Sequence, residues 1–254
     1  MLHATCHCCT GGVHRAGVHG RAGRRGVLAG LAAMGVAGGL AGRAHPARAA
    51  DPVPRTTLTP DGALDLLRRG NNEFVQDAPF SGARGRTRRV ELSTGQAPFC
   101  VLVGCSDSRV SPELLFGRGL GELFIVRNAG NTVDTAALGS IEYGVGVLGC
   151  PLVVVLGHEA CGAVSAAVDV VQKNATFPGV IGEMVQPIIP AVLAVRNEGG
   201  DLLENAVWAN ARRVAGRLGS QSPVMQGALA GGKVKVVAAK YSLKDGLVDF
   251  DQPA

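Results

Sequence analysis

The sequence is poor in aromatic residues and, after residue 50, in histidine. Aromatic residues account for 4% of the 254 positions, with one tryptophan and two tyrosines, so the core has to be built mainly from valine, leucine and alanine. Five of the six histidines precede residue 50, and His158 is the only one that follows it. A proton shuttle built on a second histidine is therefore excluded from the main part of the chain.

The four cysteines after residue 50 include no Cys-x-x-Cys spacing. This absence argues against a dithiol redox protein, because such proteins carry two thiols at that spacing. Cys100 lies inside an apolar run and Cys150 directly before another, where a small buried thiol is the simplest interpretation. A disulfide stays open as the alternative, since sequence alone does not fix cysteine pairing.

The first 49 residues contain no lysine and no acidic residue, although they contain six arginines. The whole chain has 25 basic and 20 acidic residues, a formal charge of +5. Without those six arginines the remainder has 19 basic against 20 acidic residues, a net charge of −1. The positive charge thus belongs to the N-terminal segment, and no nucleic acid is expected as a partner of the rest.

Residues 1–49 have the pattern of a bacterial signal peptide. Paired arginines at 24–25 precede an apolar stretch over 27–40, and positions 47–49 read Ala-Arg-Ala, a small-x-small cleavage site. The apolar stretch is shorter than the roughly 20 residues of a membrane-spanning helix, and the arginine pair resembles a twin-arginine signal. We expect export to the periplasm or the exterior, with no stable membrane anchor after cleavage. The alternatives are an uncleaved anchor or a start codon assigned too early.

The remainder is predicted to be a flexible mature N-terminus, 50–57, followed by one domain, 58–254. Four short apolar runs have the length of buried strands: 99–104, 122–127, 151–156 and 234–239. Helical patterns separate them, so the predicted fold is α/β, a mainly parallel β-sheet flanked by helices. The alternating stretch 241–250, around Asp245-Gly246, predicts a hairpin and an antiparallel edge strand.

The first predicted helix begins at Thr59-Pro60, with Thr59 as N-cap and Pro60 at the first helical position, and runs to about Gln76. The segment Ser81–Arg89 is polar and basic and is predicted to be a loop. The other predicted helices are 112–116, 135–148, 161–171, 184–196 and 202–218.

Two predicted strand ends carry residues that point to a metal. The first apolar run leads into Cys105, and the third ends in His158 and Cys161. Open α/β sheets bind their ligands at the carboxyl ends of the strands. Two thiolates and an imidazole form a three-ligand zinc set that leaves one coordination position open. The alternative is a thiol pair and a core histidine that bind no metal.

Asp107 lies two residues after Cys105, and so near the predicted metal. Paired with Arg109, an ionised Asp107 could accept a hydrogen bond from a zinc-bound hydroxide and orient it. Unpaired, it could become the fourth ligand of the zinc instead. A purely structural ion pair after the strand is the third interpretation.

Four segments of the chain resemble the motifs of the β-class carbonic anhydrases. They are Cys105–Val110, Glu122–Asn131, Ser140–Gly144 and His158–Gly162. The resemblance runs from about Leu58 to Phe250, nearly the whole predicted domain. It implies a β-carbonic anhydrase-like fold and Zn²⁺ as the cofactor. The implied zinc ligands are Cys105, His158 and Cys161, and the implied catalytic dyad is Asp107 with Arg109.

The same resemblance implies a substrate pocket shared between two subunits, and hence a homodimer or a larger homo-oligomer. The implied pocket residues are Gln96, Phe124, Ala129, Tyr143 and Gly162. Gln96 stands nine residues before Cys105 and favours the subtype with an open, water-bearing zinc over the bicarbonate-inhibited one. Glu159 departs from the family pattern, since many relatives have serine or threonine there. It is expected to bring an extra acid near the metal.

The predicted activity is the reversible hydration of CO₂ to bicarbonate and a proton. Zinc-bound hydroxide, oriented by the Asp107–Arg109 dyad, would attack CO₂ held in the pocket. One alternative is a zinc hydrolase of CS₂ or COS on the same scaffold. The other is a non-catalytic protein of the cell envelope that binds zinc or bicarbonate.

Overall fold

The computed structural model describes residues 55–251. The predicted signal peptide, 1–49, and most of the predicted flexible segment, 50–57, lie outside the described residues. No helix in the described part of the chain is both long enough and apolar enough to cross a membrane.

A five-stranded sheet forms the centre of the domain, in the order β2-β1-β3-β4-β5. The strands are β1 Cys100–Cys105, β2 Leu123–Asn128, β3 Leu152–His158, β4 Lys235–Tyr241 and β5 Val248–Phe250. The first four strands pair in parallel, and β5 pairs antiparallel to β4 at the edge. The predicted α/β class, parallel sheet and antiparallel edge strand are confirmed.

The helices surround this sheet. They are α1 Pro60–Val75, α2 Arg86–Glu91, α3 Pro112–Leu115, α4 Thr135–Glu142, α5 Gly162–Lys173, α6 Ile181–Val185, α7 Ile189–Val195, α8 Leu202–Gln221 and α9 Pro223–Ala230. Short 3₁₀ turns occupy Leu92–Thr94, Ala129–Asn131 and Gln186–Ile188, and a π-helical turn occupies Tyr143–Val147. Helix α1 begins as predicted, because the Thr59 hydroxyl accepts a hydrogen bond from the Gly62 N–H at 3.1 Å.

Three helical regions differ from the prediction. The second half of the expected loop Ser81–Arg89 belongs to α2. The arginines and the glutamate of this helix are good helix formers despite their charge. The expected single helix over 184–196 begins earlier and is divided in two, with a 3₁₀ turn that contains Pro187 between α6 and α7. Helix α9 is not among the predicted helices; in the structure the Ser222 hydroxyl caps it by accepting a hydrogen bond from the Met225 N–H at 3.0 Å.

Strands β1 and β3 are buried along their whole length, on both faces of the sheet. On one face Leu102 and Leu156 pack in a cluster that includes Leu67 of α1. On the other face Val103 and Val155 pack in a cluster with residues of α4 and α8. Burial on both faces explains why these strands are continuous apolar runs rather than alternating patterns.

Strand register brings two chemically active residues to one edge of the sheet. In the parallel pairing of β1 with β3, Gly104 lies opposite Leu156, so each strand then ends within one or two residues. Those last residues are Cys105 and His158. The carboxyl edge of the sheet therefore places a thiol beside an imidazole, as their positions at the strand ends predict.

Candidate metal centre

Cys105, His158 and Cys161 form a buried cluster at the carboxyl edge of the sheet. Their ligand atoms all lie within 4.8 Å of one another, and the two sulfur atoms are 4.0 Å apart. Cys105 ends β1, His158 ends β3, and Cys161 is the N-cap residue of α5. Within residues 55–251 this is the one group of three such side chains that could hold a metal ion.

The orientation of the His158 ring leaves one nitrogen free for a ligand. Its Nδ1 atom lies 2.9 Å from the Glu159 carbonyl oxygen. Because a carbonyl can only accept, Nδ1 carries the hydrogen and Nε2 carries the lone pair. The side chain is fully buried, and Nε2 has no hydrogen-bond partner in the described part of the chain. A buried acceptor between two thiols is the arrangement that a metal ion satisfies.

The surroundings of the two cysteines favour a thiolate at Cys105 and a thiol at Cys161, with one proton in the hydrogen bond between them. The hydrogen bond from the Cys161 thiol is the largest cause that lowers the pKa of Cys105, to about 4. The Gly130 N–H donates to the Cys105 sulfur at 3.3 Å and stabilises the same thiolate. The pKa of Cys161 is raised, chiefly because its thiol is the donor to Cys105 and then because it is buried. A divalent cation would replace that shared proton, since thiolate is the metal-binding form.

A tight turn carries the chain from His158 to Cys161. Ala160 in this turn has a φ of +51°, in the left-handed region. The Glu159 N–H donates to the Tyr241 carbonyl at 3.0 Å, and its carboxylate accepts from the Leu243 N–H at 2.9 Å. The acid expected near the metal is thus bonded to the segment that follows β4, and fastens the ligand turn to it.

Gly130 is the residue that closes the cluster on the β2 side. Its φ of +72° lies in the left-handed region, and a Cβ atom there would come within 2.6 Å of Ile188 Cδ1 and 3.0 Å of Ala163 Cβ. Only glycine allows this conformation and this close approach together. The Gly130 N–H consequently points at the Cys105 sulfur.

Asp107 and Arg109 form a bidentate ion pair beside the cluster. The Arg109 Nε donates to Asp107 Oδ1 at 2.9 Å and Nη2 donates to Oδ2 at 2.7 Å. This guanidinium is the largest cause that holds the pKa of the Asp107 carboxyl well below its usual range. The carboxylate is therefore ionised and can only accept hydrogen bonds. Its Oδ2 lies 3.9 Å from His158 Nε2, which places Asp107 next to the predicted metal position.

Arg127, at the penultimate position of β2, braces the loop between Cys105 and Asp107. Its Nε donates to the Cys105 carbonyl and its Nη2 to the Asp107 carbonyl, both at 2.7 Å. Arg127 belongs to the motif Glu122–Asn131, but the sequence alone predicts no role for it. One feature of the sequence could have indicated this role: Arg127 is the single charged residue near the end of β2, and β2 pairs with the strand that carries Cys105.

The five predicted pocket residues fall into two groups. Ala129 packs against the cluster that contains both cysteine ligands, and Gly162 is the exposed first residue of α5, with open space where a side chain would be. Phe124 and Tyr143 lie together, with ring centroids 6.1 Å apart. The metal cluster and this aromatic pair are at opposite ends of the sheet.

The distance between the metal cluster and the aromatic pair follows from the strand register. Phe124 lies opposite Val101, four residues before Cys105 along β1, which is about 13 Å at the rise of a strand. Gln96 is exposed and precedes the amino end of β1. The chain brings Ala129 and Gly162 to the metal cluster, but it does not bring Gln96, Phe124 or Tyr143 there.

The comparisons with known proteins all found members of one family. A family model described as "Carbonic anhydrase" matches residues 100–248. Carbonic anhydrase 2 of Mycobacterium tuberculosis is 38% identical over 194 residues, which cover 76% of this chain and 93% of that protein. A carbonic anhydrase of Mycolicibacterium smegmatis is 38% identical over 191 residues, 75% of this chain and 93% of that protein.

Solved structures show the same fold. The β-carbonic anhydrase CcaA has a TM-score of 0.58 and 28% identity, and the match covers 75% of this chain and 92% of that one. A Coccomyxa β-carbonic anhydrase in complex with acetazolamide has a TM-score of 0.57 and 28% identity, over 73% of this chain and 83% of that one. A tetrameric β-carbonic anhydrase of Sordaria macrospora, 24% identical with a TM-score of 0.59, matches 64% of this chain and 84% of that one.

Proposed function

The chain belongs to the β-class carbonic anhydrases, and from that premise we propose that it catalyses the reversible hydration of CO₂ to bicarbonate and a proton with a zinc ion held by Cys105, His158 and Cys161. The observation that carries the proposal is the buried His158 Nε2, without a partner in the described part of the chain and enclosed by two thiols. Beside it stands an ionised acid, the Asp107 carboxylate.

The donor set favours zinc over other biological cations. Thiolate sulfur and imidazole nitrogen are the ligands that Zn²⁺ takes in proteins, whereas Mg²⁺ and Ca²⁺ take oxygen. When bound, zinc would supply Lewis acidity that lowers the pKa of water to about 7 and so provides a nucleophile at neutral pH. Three protein ligands leave one coordination position free for this chemistry.

Asp107 orients the attacking oxygen. Its carboxylate is acceptor-only, so an O–H beside it must point its hydrogen at Asp107 and its lone pair elsewhere. Arg109 keeps both carboxylate oxygens engaged at 2.7 and 2.9 Å. This pairing opposes the alternative in which Asp107 rotates to become a fourth metal ligand. It also fixes the carboxylate in one orientation, which is the requirement for a positioned acceptor.

A second copy of the chain completes the substrate pocket. Gln96, Phe124 and Tyr143 lie at the other end of the sheet from the metal cluster, and Tyr143 is 47% exposed. Half-exposed aromatic surface of this kind is suited to an interface. In a two-fold dimer each copy would supply these residues to the site of the other. The description of the Sordaria macrospora relative as tetrameric is consistent with a homo-oligomer.

Combining two impaired variants in one dimer tests the shared pocket. Asp107→Ala damages the metal side, and Gln96→Ala removes a substrate hydrogen bond, with an expected loss of about tenfold. In a dimer assembled from both variants, one of the two sites combines the intact halves. Co-expression should thus restore about a quarter of the wild-type rate, since half of randomly paired dimers are mixed. Activity no higher than the average of the two separate variants would contradict a pocket shared between chains.

Stopped-flow CO₂ hydration, with zinc content determined on the same sample, tests the function itself. One zinc per chain together with rapid, pH-dependent turnover is the expected result. One zinc per chain without hydration at neutral and alkaline pH would contradict the proposed reaction. Turnover of CS₂ or COS by that sample would then identify the substrate as another cumulene.

For cellular location we propose export, on the sequence pattern of residues 1–49 alone. Paired arginines favour the twin-arginine route, which carries folded proteins. That route suits a protein whose metal is bound before export.

A further inference from the structure

The main chain at Gly130 is held from its far side by a buried asparagine. Asn210, in the middle of α8, donates from Nδ2 to the Gly130 carbonyl at 2.9 Å. Asn210 is 1% exposed. The N–H of the same glycine donates to the Cys105 sulfur at 3.3 Å. A chain of two hydrogen bonds thus leads from helix α8 to a predicted metal ligand.

Packing fixes the position of the Gly130 Cα atom but leaves its two peptide planes free to tilt. Ile188 and Ala163 lie against its Cα, within 3.0 Å of where a Cβ would be. These contacts fix the position of the residue but do not fix the tilt of its peptide planes, because they are apolar and non-directional. The hydrogen bond from Asn210 is directional, so it sets the plane of the Gly130 carbonyl and restrains the conformation that aims the N–H.

Helix α8 also supports the second ligand strand. A Cβ at Gly157, the residue before His158, would lie 3.0 Å from Val207 Cγ1 and 3.7 Å from the Ala211 methyl group. Val207 and Ala211 flank Asn210 on the buried side of the helix. One helix therefore packs on β3 at Gly157, next to His158, and is also bonded through Asn210 to the glycine whose N–H donates to Cys105.

The retention of an amide here is costly for the fold. Asn210 Oδ1 is buried without a hydrogen-bond partner among residues 55–251. A half-satisfied buried amide is less favourable for the fold than an apolar side chain of the same shape. The presence of this amide despite its cost therefore suggests a specific task for the one hydrogen bond that it makes. Orientation of the donor to Cys105 is such a task.

We propose that Asn210 is a positioning residue for the metal centre, which acts through Gly130 to orient the hydrogen bond that the Cys105 thiolate accepts. The proposal rests on the metal site of the proposed function, though not on the identity of the substrate. Hydrogen bonds to a ligand tune how strongly it binds the metal, and loss of such a partner typically weakens metal affinity about 10- to 100-fold.

The matched comparison is Asn210→Leu against Asn71→Leu. Asn71 is also buried, at 2% exposed, and its Nδ2 also donates to a glycine carbonyl at 2.9 Å, that of Gly246. It lies in α1, whose buried leucines belong to a different core cluster from the cysteine ligands, and it makes further hydrogen bonds with Leu115 and Val248. Its loss should cost the fold at least as much, with no effect on the metal ligands.

Two measurements on the purified full chain give readouts other than activity. The first is Zn²⁺ affinity by competition with a chromophoric chelator. The second is the sulfur-to-metal charge-transfer band of the Co²⁺-substituted protein, which reports on the thiolate ligands. Asn210→Leu should lose about 10- to 100-fold in zinc affinity and shift the Co²⁺ band. Asn71→Leu should match the wild type in both.

Either of two outcomes would overturn the proposal. One is wild-type zinc affinity and an unshifted Co²⁺ band in Asn210→Leu. The other is an equal loss in Asn71→Leu, which would mean that Asn210 acts only through general stability. If Asn210→Leu does not purify as a folded protein, Asn210→Ala provides the same comparison without added bulk. Failure of the proposed reaction is separate, because a wild-type protein that binds zinc but does not hydrate CO₂ leaves this affinity comparison intact.

Discussion

Asp107→Ala is expected to lower the rate of CO₂ hydration by about three orders of magnitude, the upper end of the loss when one preorganised hydrogen-bonding group is removed from an active site, while one zinc per chain stays bound. The carboxylate is not in the ligand cluster, so its removal leaves the two sulfurs and the imidazole in place. What disappears is the acceptor 3.9 Å from His158 Nε2 that we propose orients the attacking oxygen. Stopped-flow hydration and zinc determination on one sample measure both quantities.

Asp169→Ala is the control for this change. Asp169 lies on α5, where its carboxylate accepts from Lys173 Nζ at 2.8 Å in an ion pair on the surface. Exposed pairs of this kind contribute little, so this variant should keep the wild-type rate. Turnover at the wild-type level in Asp107→Ala, with zinc bound, would mean that the Asp107–Arg109 pair is only a structural ion pair.

Cys161→Ser should release the metal. Serine keeps nearly the same shape, but its hydroxyl is a poor ligand for Zn²⁺ and does not ionise near neutral pH. Four-coordinate zinc sites bind with about 10–16 kcal/mol in total, so the loss of one ligand should reduce affinity by on the order of a hundredfold or more. Activity should fall in proportion to the zinc content of the dialysed protein.

The same substitution at Cys150 separates metal binding from thiol burial. Cys150 is a free buried thiol whose pKa is raised to about 12, chiefly by desolvation. Its sulfur donates to the Pro98 carbonyl, and it belongs to another core cluster. Cys150→Ser should lose stability but keep one zinc per chain. A Cys161→Ser protein that retains zinc with wild-type affinity would remove Cys161 from the ligand set.

The sheet could be predicted from sequence because its two central strands are buried on both faces. Continuous apolar runs that end at polar residues mark such strands, and they located β1 and β3 to within a residue or two. The short helices were harder to predict from the sequence. Helix α9 has eight residues, and its start was visible only as the pair Ser222-Pro223 after a long helix. Helix α2 has no buried residue, so it has no apolar stripe to detect.

Residues of the site that adjoin strand ends in sequence could also be predicted. Cys105 ends one strand and is followed by Asp107 and Arg109, and His158 ends another and is followed by Cys161. The parallel register brings the two strand ends together, and the residues just beyond them come with the ends. Asn210 could not be found in this way. Its contact with Gly130 spans 80 residues and depends on the exact docking of α8. A single asparagine within a helical sequence gives no pattern from which such a contact could be predicted.

The hydrogen-bond acceptor for His158 Nδ1 is the carbonyl oxygen of residue 159, and every amino acid has that oxygen. The tautomer of the ligand is consequently independent of the side chain at this position. Directed evolution could therefore vary position 159 to alter the turn beyond β4 without exchanging the nitrogen that His158 offers.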